Sequence, residues 1–245
     1  MYYKVGSYSS VSILGRVVEC KPFVSKKDGK TYRNLTVATQ EKYKTKDGEE
    51  KSSVSEVQVF SEGTEQFAVG NVLLIAGEIK TSAVKFKTEL KYPVEQIVVI
   101  NARCQKVSDA ADSSFTGLNL FELIGRVGRQ PREIKGGKGC DFVVAISPKE
   151  TETIWVPISF WGQRGSKLLS IVNKGDLVRI VGKASLGLKK VGEEEKKVLS
   201  LYGMDLQFLA KKKNETESTD TSSSTESSDS IEQTSIEDEV EDAPF

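Results

Sequence analysis

The sequence predicts an all-β chain: two tandem five-stranded barrels followed by a disordered acidic tail. Three observations carry this. The chain repeats itself once, each copy is written in short runs rich in β-branched residues, and residues 211–245 change composition abruptly. "ILGRV" at Ile13–Val17 returns as "LIGRV" at Leu123–Val127. "VQVFSEG" at Val57–Gly63 returns as "ISFWGQR" at Ile158–Arg164, and "GNVLLIAGEI" at Gly70–Ile79 returns as "GDLVRIVGKA" at Gly175–Ala184. The three matches keep their order at offsets of 101 to 110 residues. That spacing is too long for a solenoid unit and suits a duplicated domain. A chain of 245 residues has room for two domains of about 100 residues each.

The elements follow in order. In the first copy, "VSILGRVVEC" reads as a strand, and "KDGK" (Lys27–Lys30) is a hairpin turn signal. "TYRNLTVATQ" alternates and is rich in β-branched residues, as a second strand requires. "KDGE" (Lys46–Glu49) turns the chain again into "SSVSEVQVF". "EGTEQFAVG" leaves room for one or two helical turns, and "NVLLIAGEIK" and "VEQIVVINA" close the copy. The second copy repeats the order with "FELIGRVG", "CDFVVAIS", "TIWVPISFWG", a short amphipathic "SKLLSIV", "DLVRIVGKA" and "VLSLYGMDLQFL". Three strands, a short helix and two strands is the order of the OB fold. The expected boundaries are residues 1–102 for the first OB domain, 103–117 for a linker, 118–210 for the second OB domain and 211–245 for the tail.

Composition narrows the function. The segment Asn214–Phe245 holds 11 acidic residues and no basic ones. The preceding residues therefore keep all 35 Lys and Arg against 24 acids, a net of +11. A basic body with an acidic tail suits a polyanionic ligand. The chain has no histidine, which excludes histidine-dependent triads and histidine metal ligands. Cys20, Cys104 and Cys140 are far apart and form no CxxC, which fits a reducing compartment and argues against a zinc site. "GGKGCD" at Gly136–Asp141 lacks the Gly-Lys-Ser/Thr of a phosphate loop and reads as a hairpin. No catalytic site, cofactor or membrane segment is expected, and the N-terminus is too polar for a signal peptide.

Trp155 and Trp161 are six residues apart on one predicted strand, so they share a face, while Val156, Ile158 and Phe160 point the other way and fill a core. Phe60 lies on a mixed face with Glu56 and Gln58. Tyr43 sits among Lys42, Lys44 and Lys46, and Phe86 between Lys85 and Lys87. On composition alone Tyr43 reads equally as a surface residue or as part of a strand-binding loop.

These segments together resemble the bacterial single-stranded-DNA-binding proteins. "ELIGRVGRQPRE" is similar to that family's first strand and its Gly125, Gly128, Pro131 turn; "TIWVPISFWG" to its third strand; and "NKGDLVRIVGK" to the turn into its fourth. "LTVATQEKY", "VQVFSEG" and the closing "EVEDAPF" match the second strand, the third strand and the acidic Pro-Phe tip. Most members carry one OB domain per chain and form tetramers; this chain resembles the minority with two, which pair as homodimers presenting four. The resemblance implies sequence-independent binding and protection of single-stranded DNA in replication, recombination and repair, in the cytoplasm at the nucleoid. It implies base stacking on Trp155, Trp161, Tyr43, Phe60 and Phe86, with phosphate contacts from Lys42, Lys44, Arg126, Arg164, Lys174 and Lys183. It implies docking of replication and repair proteins on Glu241, Asp242, Ala243, Pro244 and Phe245. The chain departs from the family where Val54 stands for Trp155, Leu188 for Phe86, and Ala243 for a larger aliphatic residue. An RNA-binding OB protein, and an adaptor whose first domain serves only oligomerisation, are the alternatives.

Overall fold

The computed structural model describes residues 7–26, 28–45, 47–84, 94–109, 116–134, 136–149, 152–191 and 194–212. Five strands form the first unit: β1 (Tyr8–Val24), β2 (Thr31–Lys44), β3 (Glu50–Glu62), β4 (Val72–Val84) and β5 (Val94–Ser108). The second unit comprises β6 (Leu118–Val127), a two-residue β7 (Arg132–Glu133), β8 (Gly139–Lys149), β9 (Glu152–Trp161), the helix α1 (Gly162–Ile171), β10 (Leu177–Val191) and β11 (Glu194–Ala210). Both predicted turns between β1, β2 and β3 are made, with Gly29 at φ 68° and Gly48 at φ 81°.

Each unit closes as an OB barrel. In the first, β1 pairs antiparallel with β2 and β4, β2 with β3, and β4 with β5. The circle is completed by a parallel contact between β3 and β5 at Val59 and Val99. In the second, β6 pairs with β8 and β10, β8 with β9, and β10 with β11, and β9 meets β11 in parallel at Ser159 and Tyr202. Alternation along the strands fills both interiors. Val11, Ile13, Leu35, Val37, Val57, Val59 and Ile75 are buried in one, and Phe121, Leu123, Phe142, Val144, Val156, Ile158, Phe160 and Ile180 in the other. Burying each such side chain contributes about 1.5–3 kcal/mol.

The barrels differ at their floors. Helix α1 covers the second, turning Leu168 inward ahead of the fully buried Val172. The helical turns expected of "EGTEQFAVG" do not form: residues 63–71 run as bends and turns. The connection is shorter than 162–176 in the second copy, and Phe67, 4% exposed, plugs the end instead. The buried Arg33 holds that loop. Its guanidinium lies 4.7 Å from the Phe67 ring centre and donates to Ser61 Oγ at 3.1 Å, to the Glu62 carbonyl at 3.2 Å and to the Glu65 carbonyl.

One sheet runs through both barrels, because β1 also pairs antiparallel with β6, from Tyr8 opposite Ile124 to Leu14 opposite Leu118. At this seam Asn119, 3% exposed, donates to the Ala184 carbonyl at 2.7 Å and accepts from the Ala184 N–H at 3.1 Å. The Gly117 N–H donates to the Gln40 carbonyl at 2.6 Å, tying the barrels again. Strand β5 continues to Ser108, opposite Val72, so residues 103–108 of the expected linker are paired strand. No helix among the described residues is long and apolar enough to cross a membrane.

Candidate nucleic-acid interface

The outer surface of β6, β8 and β9 carries the tryptophans. Trp155 is 44% exposed and Trp161 38%, while Ile154, Val156, Ile158 and Phe160 between and beside them are buried. Six residues of strand separate the two indoles by about 20 Å. Each has a glycine neighbour. Trp161 stands opposite Gly139 across the β8–β9 ladder. Trp155 lies against Gly128, where a Cβ would meet its Cζ3 at 2.3 Å. The glycine after the "GRV" motif thus leaves the space in which the Trp155 ring sits.

Basic side chains join this face at one edge. Arg126 stands opposite Ala145, which stands opposite Trp155, so the three share the outer face. The Arg126 guanidinium donates to the Gly175 carbonyl at 3.0 Å, beside the exposed Lys174. Gly175 in turn faces the stem of Lys212, whose Cδ would lie 2.9 Å from a Cβ there. Gln130, Asn173, Lys174, Asp176, Lys211 and Lys212 line an open cleft of about 440 Å³ at this corner. The Asp176 carboxylate accepts from the Asn173 and Lys212 N–H groups, both at 2.9 Å.

The other expected cations are placed differently. Arg164, in α1, is exposed and donates to the Met204 carbonyl, which draws it onto β11. Lys183 turns into the seam between barrels and pairs with Glu41. A second bridge of this kind joins Lys197 to Glu56 at 3.5 Å. Lys42, Lys44 and Tyr43 are all exposed, but the period of two divides them. Lys42 and Lys44 stand opposite Ser52 and Glu50 on the face shared with Val54, whereas Tyr43 lies on the opposite face with Glu41. Phe86 and Glu241–Phe245 lie outside the described residues.

The ladder also corrects how the two copies correspond. Likeness of "VQVF" to "ISFW" aligns Val54 with Trp155 and Phe60 with Trp161. The strands say otherwise. Arg16 stands opposite Ala38 and Ala38 opposite Glu56, just as Arg126, Ala145 and Trp155 stand in line. Glu56 therefore occupies the place of Trp155. By the same register Glu62, opposite Tyr32, occupies the place of Trp161, opposite Gly139. The buried pair Arg33 and Ser61 replaces Cys140 and Phe160. The first barrel thus has carboxylates where the second has indoles.

Aromatic rings on the first barrel are found elsewhere. Phe60 is half-buried and meets Phe23 edge-on, with centroids 6.3 Å apart at 84°. Phe23 stacks on Tyr32 at 5.8 Å and 24°. Phe23 was invisible to alternation for a reason given by β1 itself. A bulge between Val17 and Glu19 flips the strand, so Cys20 follows Val17 inward and Phe23 goes outward.

Two of the cysteines, Cys140 and Cys104, are held as thiols by burial. Burial, with the Asp141 charge adding to it, pushes the Cys140 thiol up to about 11. Burial also raises Cys104, and the thiols stay protonated and unreactive near neutrality.

Comparison with known proteins agrees with this architecture. Residues 118–209 match the model of the single-strand binding protein family. A curated relative, "Single-stranded DNA-binding protein 1" of Clostridium acetobutylicum, is 27% identical over 107 residues, which span 39% of this chain and 97% of that protein. The wild-type single-stranded DNA binding protein of Thermus aquaticus superposes with a TM-score of 0.65 at 14% identity, covering 87% of this chain and 98% of that one. A deletion mutant of it gives 0.66 at 16% identity, covering 86% and 99%. At those identities the likeness is one of fold, and it extends over both barrels. The second barrel, residues 118–209, thus matches the single-strand binding protein family model, and it is carried in a chain whose two-barrel fold is similar to that of the Thermus aquaticus protein.

Proposed function

We propose that this chain binds and protects single-stranded DNA without sequence preference, in replication, recombination and repair. The observation that carries the reading is the pair Trp155 and Trp161, exposed on the outer face of a family domain whose alternate residues already fill the core. Stacking on indoles tolerates every base and is worth about 1–3 kcal/mol per base. Arg126, Lys174 and Lys212 supply positive charge at the edge of that face, where phosphates would run. Intrinsic fluorescence tests this directly, because the chain's two tryptophans are both on the proposed face. Titration with oligo-dT should quench them at a sharp stoichiometry, with affinity falling as salt rises. Tight binding without quenching would remove the tryptophans from the site.

Two finer readings accompany it. A second copy of the chain covers the outer face of β4, β1 and β6. Leu74, Leu14 and Leu118 are in line across these strands, and Leu120 is next to Leu118 on the same face. Leu74 is 42% exposed and Leu118 42%, a placement that favours burial against an identical face. The homodimer so formed presents four barrels, and Leu74→Glu with Leu118→Glu should yield monomers in sedimentation. The acidic segment Glu241–Phe245 docks on replication and repair enzymes. Deleting residues 214–245 should abolish capture of such enzymes while leaving high-salt DNA binding intact.

A further inference from the structure

We propose that Phe23, Tyr32 and Phe60 form a nucleobase-stacking subsite on the first barrel, displaced from the position its sequence repeat would indicate. The subsite presupposes the single-strand reading above and assigns the first barrel a direct part in it. The repeat position is spoiled for stacking, since Glu56 and Glu62 stand where the second barrel has Trp155 and Trp161. Glu56 is moreover engaged with Lys197 across the seam. Yet the same outer face of β1, β2 and β3 carries three rings, brought together by register. Phe23 stands opposite Tyr32, and Asn34, two residues on, stands opposite Phe60.

The arrangement has the properties of a prepared stacking surface. The Tyr32 hydroxyl donates to Asp28 at 2.8 Å, which fixes that ring. The Phe23 ring lies on it at 24° and 5.8 Å, and Phe60 closes one edge. Phe23 remains 41% exposed, so the stack ends in an open ring on which a base can continue it. The rings are not needed to fill the barrel, because Leu35 and Val59 are already fully buried on the inner face of the same strands. Beside them Gln58 donates to Asn34 at 2.9 Å, placing two amides within reach of a base edge. The repulsive charge of Glu62 is offset by Lys30 at 2.7 Å. A base of the strand held by the second barrel is the occupant this chemistry fits, since stacking plus amide hydrogen bonds recognises a nucleobase and not a phosphate.

The full-length protein decides the matter. Photo-crosslinking to an iodouracil-substituted oligonucleotide, read by mass spectrometry, should give adducts on Phe23 or Tyr32 as well as on Trp155 and Trp161. Phe23→Ala should weaken binding to an oligonucleotide long enough for both barrels by roughly fivefold to a hundredfold, with the far-ultraviolet circular dichroism of the folded chain retained. A triple variant, Phe23→Trp with Trp155→Phe and Trp161→Phe, has its sole tryptophan in the subsite, and oligo-dT should quench it. Adducts confined to the second barrel, together with wild-type affinity in Phe23→Ala, would overturn the subsite and leave the single-strand reading standing. A wild-type chain that binds no oligonucleotide would overturn that reading and the subsite with it.

Discussion

Gly128→Ala isolates the seat of Trp155. A Cβ at Gly128 would lie 2.3 Å from Cζ3 and 2.9 Å from Cε3 of the indole, against 3.4–4 Å for ordinary contact. The ring must retreat by at least about 1 Å, a displacement that stacking geometry does not tolerate. Trp155 is half exposed and able to swing toward solvent, so the fold survives. The ring forfeits about 50 Å² of apolar contact, or about 1 kcal/mol of stability. The effect on binding is larger. Losing one base–indole stack costs about 1–3 kcal/mol, a five- to hundredfold drop in affinity. Fluorescence anisotropy of a labelled oligo-dT measures it in four proteins: wild type, Gly128→Ala, Trp155→Ala and the double variant. The two single changes should be strongly non-additive, with Gly128→Ala costing almost nothing once the indole is gone. An undiminished cost in the Trp155→Ala background would refute the reasoning, because the glycine would then act through the β6–β8 turn and not through the ring. Wild-type binding by Gly128→Ala would remove Trp155 from the stack altogether.

Other expectations concern the framework. Gly203→Ala places a Cβ 2.1 Å from Cζ of the fully buried Phe160. Overpacking there should lower stability by about 1–3 kcal/mol in denaturant unfolding, with no relief from solvent. Asn119→Ala orphans the Ala184 N–H and carbonyl at the seam, and should cost about 2–3 kcal/mol, seen as faster amide exchange along β6 and β10. Cys140 makes stability fall at high pH. Its thiol is raised from 9.0 to about 11 in the fold, so below pH 9 it is protonated whether folded or not. Between pH 9 and 11 only the unfolded chain ionises, and stability is lost. A Cys140→Ala variant should lack that part of the decline in a chemical-denaturation series from pH 8 to 11.

The repeat and the alternation made the barrels readable, because a half-buried strand must write its inner face every second residue. Val156, Ile158 and Phe160 lie inside and Trp155 and Trp161 outside for that reason. Three features escaped, each through a different physical cause. The helix missing from the first barrel depends on Arg33, a buried cation whose neighbours Ser61, Glu65 and Phe67 are close only in three dimensions. The two-residue misalignment of β3 with β9 was silent, because an even shift keeps every side chain on its face and preserves the hydrophobic pattern. The bulge at Val17 and Glu19 did the opposite: a one-residue slip moved Phe23 from the side that alternation gives it to the outer face. Lys183, expected to contact phosphate, pairs with Glu41 of the other barrel, a neighbour that no local pattern announces. Alternation reports which side a residue takes, never what stands there.

Duplication within one chain explains why the two faces diverged. Two barrels joined by β1 and β6 lie in one sheet, so on the proposed function a strand held by one would be presented to the other at high effective concentration. The first barrel carries Glu56 and Glu62 at the positions that hold Trp155 and Trp161 in the second. Glu56 meets Lys197 across the seam, and Glu41 on β2 meets Lys183 there. Both pairs are partly exposed, so each adds only modestly to stability. Their effect is on the path of the strand. Phosphates crossing between barrels would meet lysines already paired with carboxylates, whereas the described ion pairs include none made by the side chains of Arg126, Lys174 or Lys212 at the outer edge. On the proposed function, the strand is therefore expected at the outer edge of the second barrel and not in the seam, and crosslinks confined to the seam residues would refute this.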